Sequence, residues 1–514
     1  MLFNSYTFIF LFLPIVLGGY ALACRIGTRA GMAWLVVASL FFYGWWNPVY
    51  LWLILGSVGV NYFFGCALTN RPTKRLLALG VCLNHGLIGY FKYAGFFGDN
   101  MYSSATGIPF EFGDILLPLG ISFFTFQQIA YLVDSYQGRT VRHGWLEYIL
   151  YVTFFPQLIA GPIVHQAEIL PQFLNKLPGI KARHLAIGAT IFIIGLFKKV
   201  VIADNLAFYV TPMFDAAARG EVITFLEAWG GSLAYTFQLY FDFSGYSDMA
   251  IGLARMFGVT LPINFNSPYK ATSIIDFWRR WHLTLSRFLR DYLYIPLGGN
   301  NRGNARRYAN LLIVMLLGGL WHGAGWTFIF WGGLHGFYLI INHLWRAIKR
   351  RVGLDNKKSN PFAKSASWSL TFLSVVIGWV FFRSASWDAA TNILHAMTGL
   401  DGRLLVTVGY VPILEPLSFI IGPLNVTETV LPYFQGREQL AWIGGCLFLA
   451  LALPNTQEWM SRYIPSLKKP ILLGFVPRFV LWRPTPIWAL ISITLLSLSI
   501  VFALQPSEFL YYQF

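Results

Sequence analysis

Long apolar stretches with few charged residues recur along the chain and determine its predicted fold class. A transmembrane helix needs about 20 predominantly apolar residues. Apolar runs fall near residues 3–23, 32–54, 49–68, 76–97, 116–133, 146–164, 186–203, 229–256, 309–345, 366–382, 439–453 and 487–504. The pattern predicts an all-α, polytopic membrane protein with about 11 transmembrane helices, plus interfacial and re-entrant helices. We expect residues 1–514 to form a single membrane domain.

The apolar run at 309–345 is interrupted by two glycine-rich motifs, GGLWHGAGW and WGGLHG. It is consistent with two crossings, or with one crossing and a broken or re-entrant piece. Non-helical backbone at membrane depth is tolerated only where protein or a water-filled cavity surrounds it. We therefore expect this region to lie inside the protein.

Composition supports the membrane prediction and narrows the possible partners. Of the 514 residues, 56% are hydrophobic and only 12% are charged, and the formal net charge is +16. Basic clusters occur at Arg25/Arg29, Arg71/Lys74/Arg75, Lys176/Lys181/Arg183, Lys198/Lys199 and 346–358. Cytoplasmic loops of membrane proteins are enriched in Lys and Arg, which face anionic lipid. This explanation is favoured over nucleic-acid binding, and a basic cytoplasmic face also suits an anionic substrate.

Residues 276–292, DFWRRWHLTLSRFLRDY, combine aromatic and basic residues at helical spacing. On one helix, an arc of about 120° would hold an apolar set: Phe277, Trp278, Trp281, Leu285, Phe288, Leu289 and Tyr292. Arg279, Arg280, Thr284 and Arg287 would face the opposite side, with His282 at the border. The pattern is typical of a helix in the membrane interface. Its arginines could bind lipid phosphates, or could hold an anionic substrate bidentately.

Two carboxylates, Asp242 and Asp248, lie inside the apolar stretch LYFDFSGYSDMAIG. Intramembrane carboxylates are costly, so they are paired or line a pathway. Both interpretations remain open from the residues alone. The following LPINFNSPY, with Asn264 and Asn266 between prolines, predicts a turn.

His322 is the most suggestive polar residue, because it lies in the uncharged stretch LLGGLWHGAGW. A neutral imidazole can remove a proton from a hydroxyl near pH 7. The alternative is a packed histidine that hydrogen-bonds a neighbouring helix. On an unbroken helix, His335 would lie about 20 Å from His322, too far to serve the same reacting atom. GxSxG, HExxH and P-loop motifs do not occur, and we expect no metal site. The residues alone are consistent with two functions, an enzyme that transfers an acyl group and a transporter.

Six longer motifs make a family resemblance specific. They are LPLGISFFTFQQIAYLVDSYQG, FFPQLIAGPIV, LYFDFSGYSDMAIGLARMFG, NFNSPY, DFWRRWHLTLSRFLRDYLYIPLGGN and LLGGLWHGAGWTFIFWGGLHG. Together they resemble the membrane-bound O-acyltransferase family, in particular its bacterial alginate O-acetylase branch. The likeness covers most of residues 1–345, with a core at about 110–345, whereas 400–480 is less distinctive.

The resemblance implies a central tunnel, a catalytic histidine at His322 and the second family histidine at His282. It implies acetyl-CoA as the donor substrate, with no bound cofactor. The candidates for the phosphates of CoA are Arg279, Arg280 and Arg287. The remaining candidates for structural or tunnel-lining roles are Asp242, Asp248, Asn266 and His335.

The C-terminal tail, residues 505–514, ends in EFLYYQF. It resembles a tail of the same branch, and a similar tail ends a partner peptide of the related teichoic-acid D-alanylation system. That resemblance implies an acyl relay at Tyr511, with Tyr512 as its neighbour. The alternative is a tail that docks only through its aromatic side chains.

The function implied is O-acetylation across the bacterial inner membrane. Acetyl from cytoplasmic acetyl-CoA would pass to a periplasmic, SGNH-hydrolase-like acetyltransferase that modifies an exopolysaccharide such as alginate. Acetylated cellulose, peptidoglycan and other surface glycans are alternative acceptors. Two other functions remain as alternatives: a polysaccharide or ion transporter or flippase using Asp242 and Asp248, and a non-catalytic scaffold of an export complex.

Overall fold

The computed structural model describes most of the chain, and its described residues are overwhelmingly helical. They are residues 1–108, 116–175, 177, 179–353, 360–400, 405–407, 425–427, 431–463, 465–467, 480–504 and 510. The all-α prediction is confirmed. The predicted relay residue, Tyr511, lies outside the described residues.

The first half of the chain contains a series of helices, several of them extended by π-helical turns. They are a π-helical turn Thr7–Phe12, α1 Leu13–Ile26, α2 Thr28–Gly44, α3 Tyr50–Asn70, α4 Lys74–Ile88, a π-helical turn Gly89–Tyr93, α5 Ala94–Gly98, a π-helical turn Asp99–Ser103, α6 Ser104–Thr106, α7 Ile121–Tyr136, α8 Trp145–Thr153, α9 Phe155–Leu158, α10 Gln166–Leu174, α11 Ala182–Phe197, a π-helical turn Lys198–Ala203 and α12 Asp204–Ala218.

The second half contains the long central helix and the elements of the candidate site. They are α13 Phe225–Met256, a 3-10 turn Pro268–Lys270, α14 Ile274–Trp278, α15 Leu283–Leu289, a π-helical turn Arg290–Tyr294, α16 Gly303–His322, α17 Trp326–Arg351, α18 Pro361–Arg383, α19 Trp387–Thr398, the parallel strands β1 Leu405–Thr407 and β2 Asn425–Thr427, α20 Gly436–Ala452, α21 Thr456–Trp459, a 3-10 turn Ser461–Tyr463 and α22 Pro486–Phe502.

Four described helical stretches are long and apolar enough to cross a membrane. They are Thr7–Ile26, Tyr50–Asn70, Ala182–Ala218 and Pro361–Arg383. The apolar run at 146–164 does not form one continuous helix, because α8 ends at Thr153 and the four-residue α9 follows a break at Phe154. The predicted total of about 11 crossings stays a prediction.

The central helix α13 runs through the protein core, and every residue from Ala234 to Ala254 is buried. It packs against α11 through two glycine pairs. A Cβ built on Gly188 would lie 2.5 Å from the carbonyl oxygen of Gly252, and one built on Gly195 would lie 2.6 Å from that of Gly245. Small residues let membrane helices approach this closely. The close contact fixes the position of α13, which supplies several groups around the site.

The basic pair Lys198 and Lys199 is not the cytoplasmic loop that its charge predicts. Both residues lie within the continuous helical stretch Ala182–Ala218. Lys199 is 1% exposed, and its Nζ lies 2.7 Å from Asp204 Oδ1 and 2.5 Å from Asp242 Oδ1. Lys198 Nζ lies 2.7 Å from Asp248 Oδ2. Asp242 and Asp248 are therefore each paired with a lysine, as one of the two interpretations expected.

The apolar run at 309–345 forms two helices, α16 and α17, which reverse direction at Gly323–Gly325. The two helices pack against each other at Gly319 and Gly332. A Cβ built on Gly332 would lie 2.2 Å from the carbonyl oxygen of Met315, and one on Gly319 would lie 2.2 Å from that of Phe328. Any side chain at either position would separate the helices. His322 is the last residue of α16 and lies directly before the turn of this hairpin.

Candidate active site

His322 is the last residue of α16, and the helix end is held from a second element. Lys92 Nζ donates hydrogen bonds to the carbonyl oxygens of Trp321 and His322, at 2.5 and 3.2 Å. The hydroxyl of Tyr93 donates to the carbonyl oxygen of Leu320 at 2.9 Å. An amino group at a helix C-terminus satisfies carbonyls that have no intrahelical partner. The backbone carrying His322 is therefore fixed.

The ring of His322 lies in a compartment walled by aromatic side chains. Its centroid lies 4.9 Å from Trp321, 5.3 Å from Trp331 and 5.2 Å from Phe382. The residue is 8% exposed. Within the part of the chain that the structure describes, no group hydrogen-bonds its ring nitrogens. An imidazole so placed is able to accept a proton from a hydroxyl that enters the compartment.

The segment 276–292 is not the single amphipathic helix that its periodicity predicts. The helix α14 ends at Trp278, α15 begins at Leu283, and the backbone between them turns at His282. His282 has φ 42°, in the left-handed region that non-glycine residues seldom adopt. Two backbone hydrogen bonds hold this turn: Leu283 N–H donates to Asn264 O, and Asn266 N–H donates to Arg280 O, both at 2.9 Å.

The turn places His282 inside the protein, not at the border of a surface helix as predicted. It is 0% exposed, and its ring centroid lies 6.4 Å from that of His322. Its Nδ1 lies 3.0 Å from Asn264 Oδ1. Since an amide oxygen only accepts, Nδ1 carries the proton and Nε2 is left as the unprotonated nitrogen. The structure thus brings the two predicted histidines together.

Asn264, which the sequence predicted only as part of a turn, organises the groups around His282. Its Oδ1 also accepts hydrogen bonds from the Thr284 hydroxyl and backbone N–H, at 2.9 and 3.4 Å. Its Nδ2 donates to Ser247 Oγ on α13 at 3.1 Å. The Thr284 side chain, predicted on the polar face, is buried for this reason. No sequence signal links Asn264 to His282, which lies 18 residues further on.

The three arginines predicted at the donor entrance have different surroundings. Arg287 makes a bidentate ion pair with Glu168, with distances of 2.5 and 2.8 Å. The Nε of Arg280 lies 2.9 Å from Asp276 Oδ1. Arg279 is exposed and has no ion pair among the described residues. Arg279 is therefore the one whose guanidinium is available to a ligand.

The other two predicted structural residues lie beside the site. Asn266 is buried, and its Oδ1 accepts a hydrogen bond from Asn455 Nδ2 at 2.9 Å. His335 is fully buried, with its ring centroid 5.0 Å from Trp331. Because the hairpin folds back, Trp331 contacts both His335 and His322. The distance of about 20 Å that an unbroken helix would place between His322 and His335 therefore does not apply.

Comparison with known proteins decides the family. Residues 133–374 match the membrane-bound O-acyltransferase family. The chain is 46% identical over 434 residues to the peptidoglycan O-acetyltransferase of Helicobacter pylori, covering 78% of this chain and 80% of that protein. The chain belongs to the membrane-bound O-acyltransferase family.

Two further relatives show the breadth of the family around this chain. The probable alginate O-acetylase AlgI of Pseudomonas aeruginosa is 44% identical over 408 residues, covering 77% of this chain and 75% of that protein. The teichoic acid D-alanyltransferase of Streptococcus thermophilus is 28% identical over 285 residues, covering 51% of this chain and 68% of that protein. The resemblance found from the motifs is confirmed, and this membrane-bound O-acyltransferase is a multi-pass membrane enzyme.

Proposed function

We propose that this O-acyltransferase takes acetyl from acetyl-CoA at the cytoplasmic face of the bacterial inner membrane, with His322 as general base. The observation that carries the proposal is the pairing of His322 with His282 inside an aromatic compartment, 6.4 Å apart between ring centroids. The tautomer of His282 is fixed by Asn264, with the proton on Nδ1 and not on Nε2. In this proposal His282 is the second histidine of the site and assists His322.

The reaction consists of one acyl transfer. His322 removes the proton of the accepting hydroxyl, and the oxygen attacks the thioester carbonyl carbon. The carbon–sulfur bond then breaks, and the thiolate of CoA takes the proton back from the imidazolium. A positioned general base contributes about 10²- to 10⁴-fold to such a step.

The accepting hydroxyl that we propose is the phenol of Tyr511 in the C-terminal tail. Leu510, the residue before it, is 1% exposed and belongs to the buried apolar cluster that also contains Trp331 and Phe382. Trp331 and Phe382 are two walls of the His322 compartment. The chain is therefore buried immediately before Tyr511, as a relay in the core requires. The alternative is a tail that docks only through its aromatic side chains, and labelling of the Tyr511→Phe protein separates the two.

The acetyl group on Tyr511 is then transferred outside the membrane. A periplasmic, SGNH-hydrolase-like acetyltransferase would move it to a hydroxyl of a cell-surface polysaccharide. The relatives named for alginate and for peptidoglycan act on polymers of this class, and both are more than 40% identical to this chain. We propose an exopolysaccharide of the alginate type as the acceptor. Transport is not retained, because the matching family and the relatives named here are acyltransferases. The pairing of Asp242 and Asp248 with lysines fits a structural role for both carboxylates.

Complementation of a deletion strain of the native host tests this function. His322→Gln should reduce O-acetyl content to that of the deletion strain, while the amount of protein in the membrane stays normal. His85→Gln, at an exposed histidine on α4, is the matched control and should acetylate normally. O-acetyl is measured in both the exopolysaccharide and the peptidoglycan, which identifies the acceptor. Normal acetylation by the His322→Gln protein would contradict the proposal.

A further inference from the structure

A basic cleft of about 1160 Å³ lies between the C-terminal half of α17, the start of α18 and the first turns of α16. Five of its lining residues are Lys or Arg: Arg307, Arg346, Lys349, Arg350 and Lys364. No acidic residue is among the lining residues that the structure describes. Neutral polar groups complete the surface, including Asn342 and Ser374.

The positive charge of the cleft is not neutralised by the protein around it. Across the described ranges, none of the five cations forms an ion pair with a carboxylate. Arg307 donates instead to the ring of His343, another lining residue. Arg279, Arg307, Arg346 and Arg350 all lie within electrostatic reach of that ring. Several like charges around one cavity focus a field that attracts an anion.

One face of α17 connects the cleft with the candidate active site through a series of side-chain contacts. Residues 331, 335, 338, 342, 346 and 349 recur at spacings of three and four, so they share that face. Tyr338 lines the cleft, and its ring centroid lies 5.7 Å from His335, which contacts Trp331, the wall of the His322 compartment. From Arg346 to Trp331 is about 22 Å along the helix, at 1.5 Å per residue.

We propose that this cleft binds the phosphates of the acyl donor, so that Arg307, Arg346, Lys349, Arg350 and Lys364 hold the nucleotide end of acetyl-CoA. The proposal rests on the proposed function. In that function the thioester end of acetyl-CoA reacts at His322, and the cleft would bind its nucleotide end. Coenzyme A carries its phosphates and its thioester at opposite ends of an extended arm, which suits two sites separated along α17. Guanidinium groups bind phosphate bidentately, and lysines contribute point charge.

The second source of phosphate is an anionic lipid headgroup, and the same cations would attract it. The two sources differ in one respect that can be measured. A nucleotide in the cleft is part of the substrate, whereas a lipid there leaves the affinity for the donor unchanged. The experiment therefore separates donor binding from lipid binding.

The test uses the full-length protein in nanodiscs and the double variant Arg346→Glu/Lys349→Glu. Arg351→Glu is the matched control, because Arg351 is exposed in the same helical turn and does not line the cleft. Binding of adenosine 3′,5′-bisphosphate, the nucleotide end of CoA, is measured by equilibrium dialysis. CoA or pantetheine release in the first turnover, in which Tyr511 is the acceptor, is followed with acetyl-CoA and with acetyl-pantetheine, which lacks the phosphates. The kcat and KM are the maximal rate and the half-saturating donor concentration of that turnover. Nanodiscs are made of phosphatidylcholine alone or with phosphatidylglycerol.

The double variant should bind the bisphosphate at least 10-fold more weakly and show a KM for acetyl-CoA raised at least 10-fold. Its kcat, and its activity with acetyl-pantetheine, should stay within 2-fold of the wild type. An unchanged KM for acetyl-CoA would overturn the proposal, as would a change in KM that occurs only in nanodiscs containing phosphatidylglycerol. A wild type that binds the bisphosphate but does not use acetyl-CoA would overturn the proposed function while supporting the cleft.

Discussion

His282 Nδ1 and Asn264 Oδ1 lie 3.0 Å apart, and this hydrogen bond joins two segments that the sequence separates. Oδ1 is assigned as the acceptor because it also receives the Thr284 backbone N–H, which only donates. The imidazole therefore holds its proton on Nδ1 and not on Nε2, and its ring centroid lies 6.4 Å from that of His322. The orientation of His282 depends on Asn264.

Replacing Asn264 should thus reduce catalysis without weakening donor binding. Asn264→Leu removes the acceptor that fixes the tautomer of His282. We expect kcat to fall by about 10²-fold, the lower end of a general acid–base contribution, with the KM for acetyl-CoA within 2-fold. CoA release in the first turnover of the purified protein, in which Tyr511 is the acceptor, measures both as its maximal rate and its half-saturating acetyl-CoA concentration. Ser247→Ala, which removes only the Asn264 Nδ2 contact, is the control and should have a smaller effect. A raised KM with unchanged kcat would contradict the assigned role.

The ion pair between Arg287 and Glu168 predicts that Arg287 acts on stability and not on the donor. Arg287→Ala and Glu168→Ala should lower the apparent melting temperature to a similar extent, because each leaves a partly buried charge without its partner. The exchanged pair, Arg287→Glu with Glu168→Arg, should recover part of the loss. Thermal unfolding in detergent and the KM for acetyl-CoA are measured together. A donor KM that rises only in the Arg287 variants would show instead that this arginine binds the donor.

Lys199 should be more important for stability than either of its acidic partners. Lys199→Met leaves Asp204 and Asp242 buried without a cation, and losing one partner of a buried pair costs about 3–5 kcal/mol. Asp242→Asn is milder, because Lys199 keeps Asp204. Thermal unfolding and the yield of folded protein compare the variants. A more damaging effect of Asp242→Asn than of Lys199→Met would contradict this account.

The glycine contact between α11 and α13 makes a third stability prediction. Gly188→Ala places a methyl group 2.5 Å from a backbone oxygen, so the helices must separate. Overpacking costs about 1–3 kcal/mol, and occasionally more. Gly86→Ala on α4 is the control, because nothing lies within 4 Å of its added Cβ. Gly86→Ala should keep or raise the melting temperature, since glycine lowers helix stability. Equal effects of the two substitutions would exclude close packing as the cause.

Much of the fold could be predicted from sequence, because a long apolar segment predicts a buried or membrane-spanning helix without knowledge of its neighbours. The expected run at 229–256 is α13, and the family motifs identified both histidines. The ion pairs of Lys198 with Asp248 and of Lys199 with Asp242 could not be predicted, because the carboxylates lie more than 40 residues away on another helix. The interruption at His282 was also missed. Helical periodicity describes side-chain direction, and the left-handed turn is held by backbone hydrogen bonds to residues 264–266.

The most direct test of the central claim, acyl transfer with His322 as general base, is incubation of the purified protein with [¹⁴C]acetyl-CoA. The wild type, His322→Gln and Tyr511→Phe are compared for CoA release and for label on the protein. We predict label on the wild type and none on either variant, with CoA release lost in His322→Gln. Label lost only in His322→Gln would keep the enzyme and remove Tyr511 as carrier. Equal CoA release and equal label on the wild type and His322→Gln would contradict the central claim.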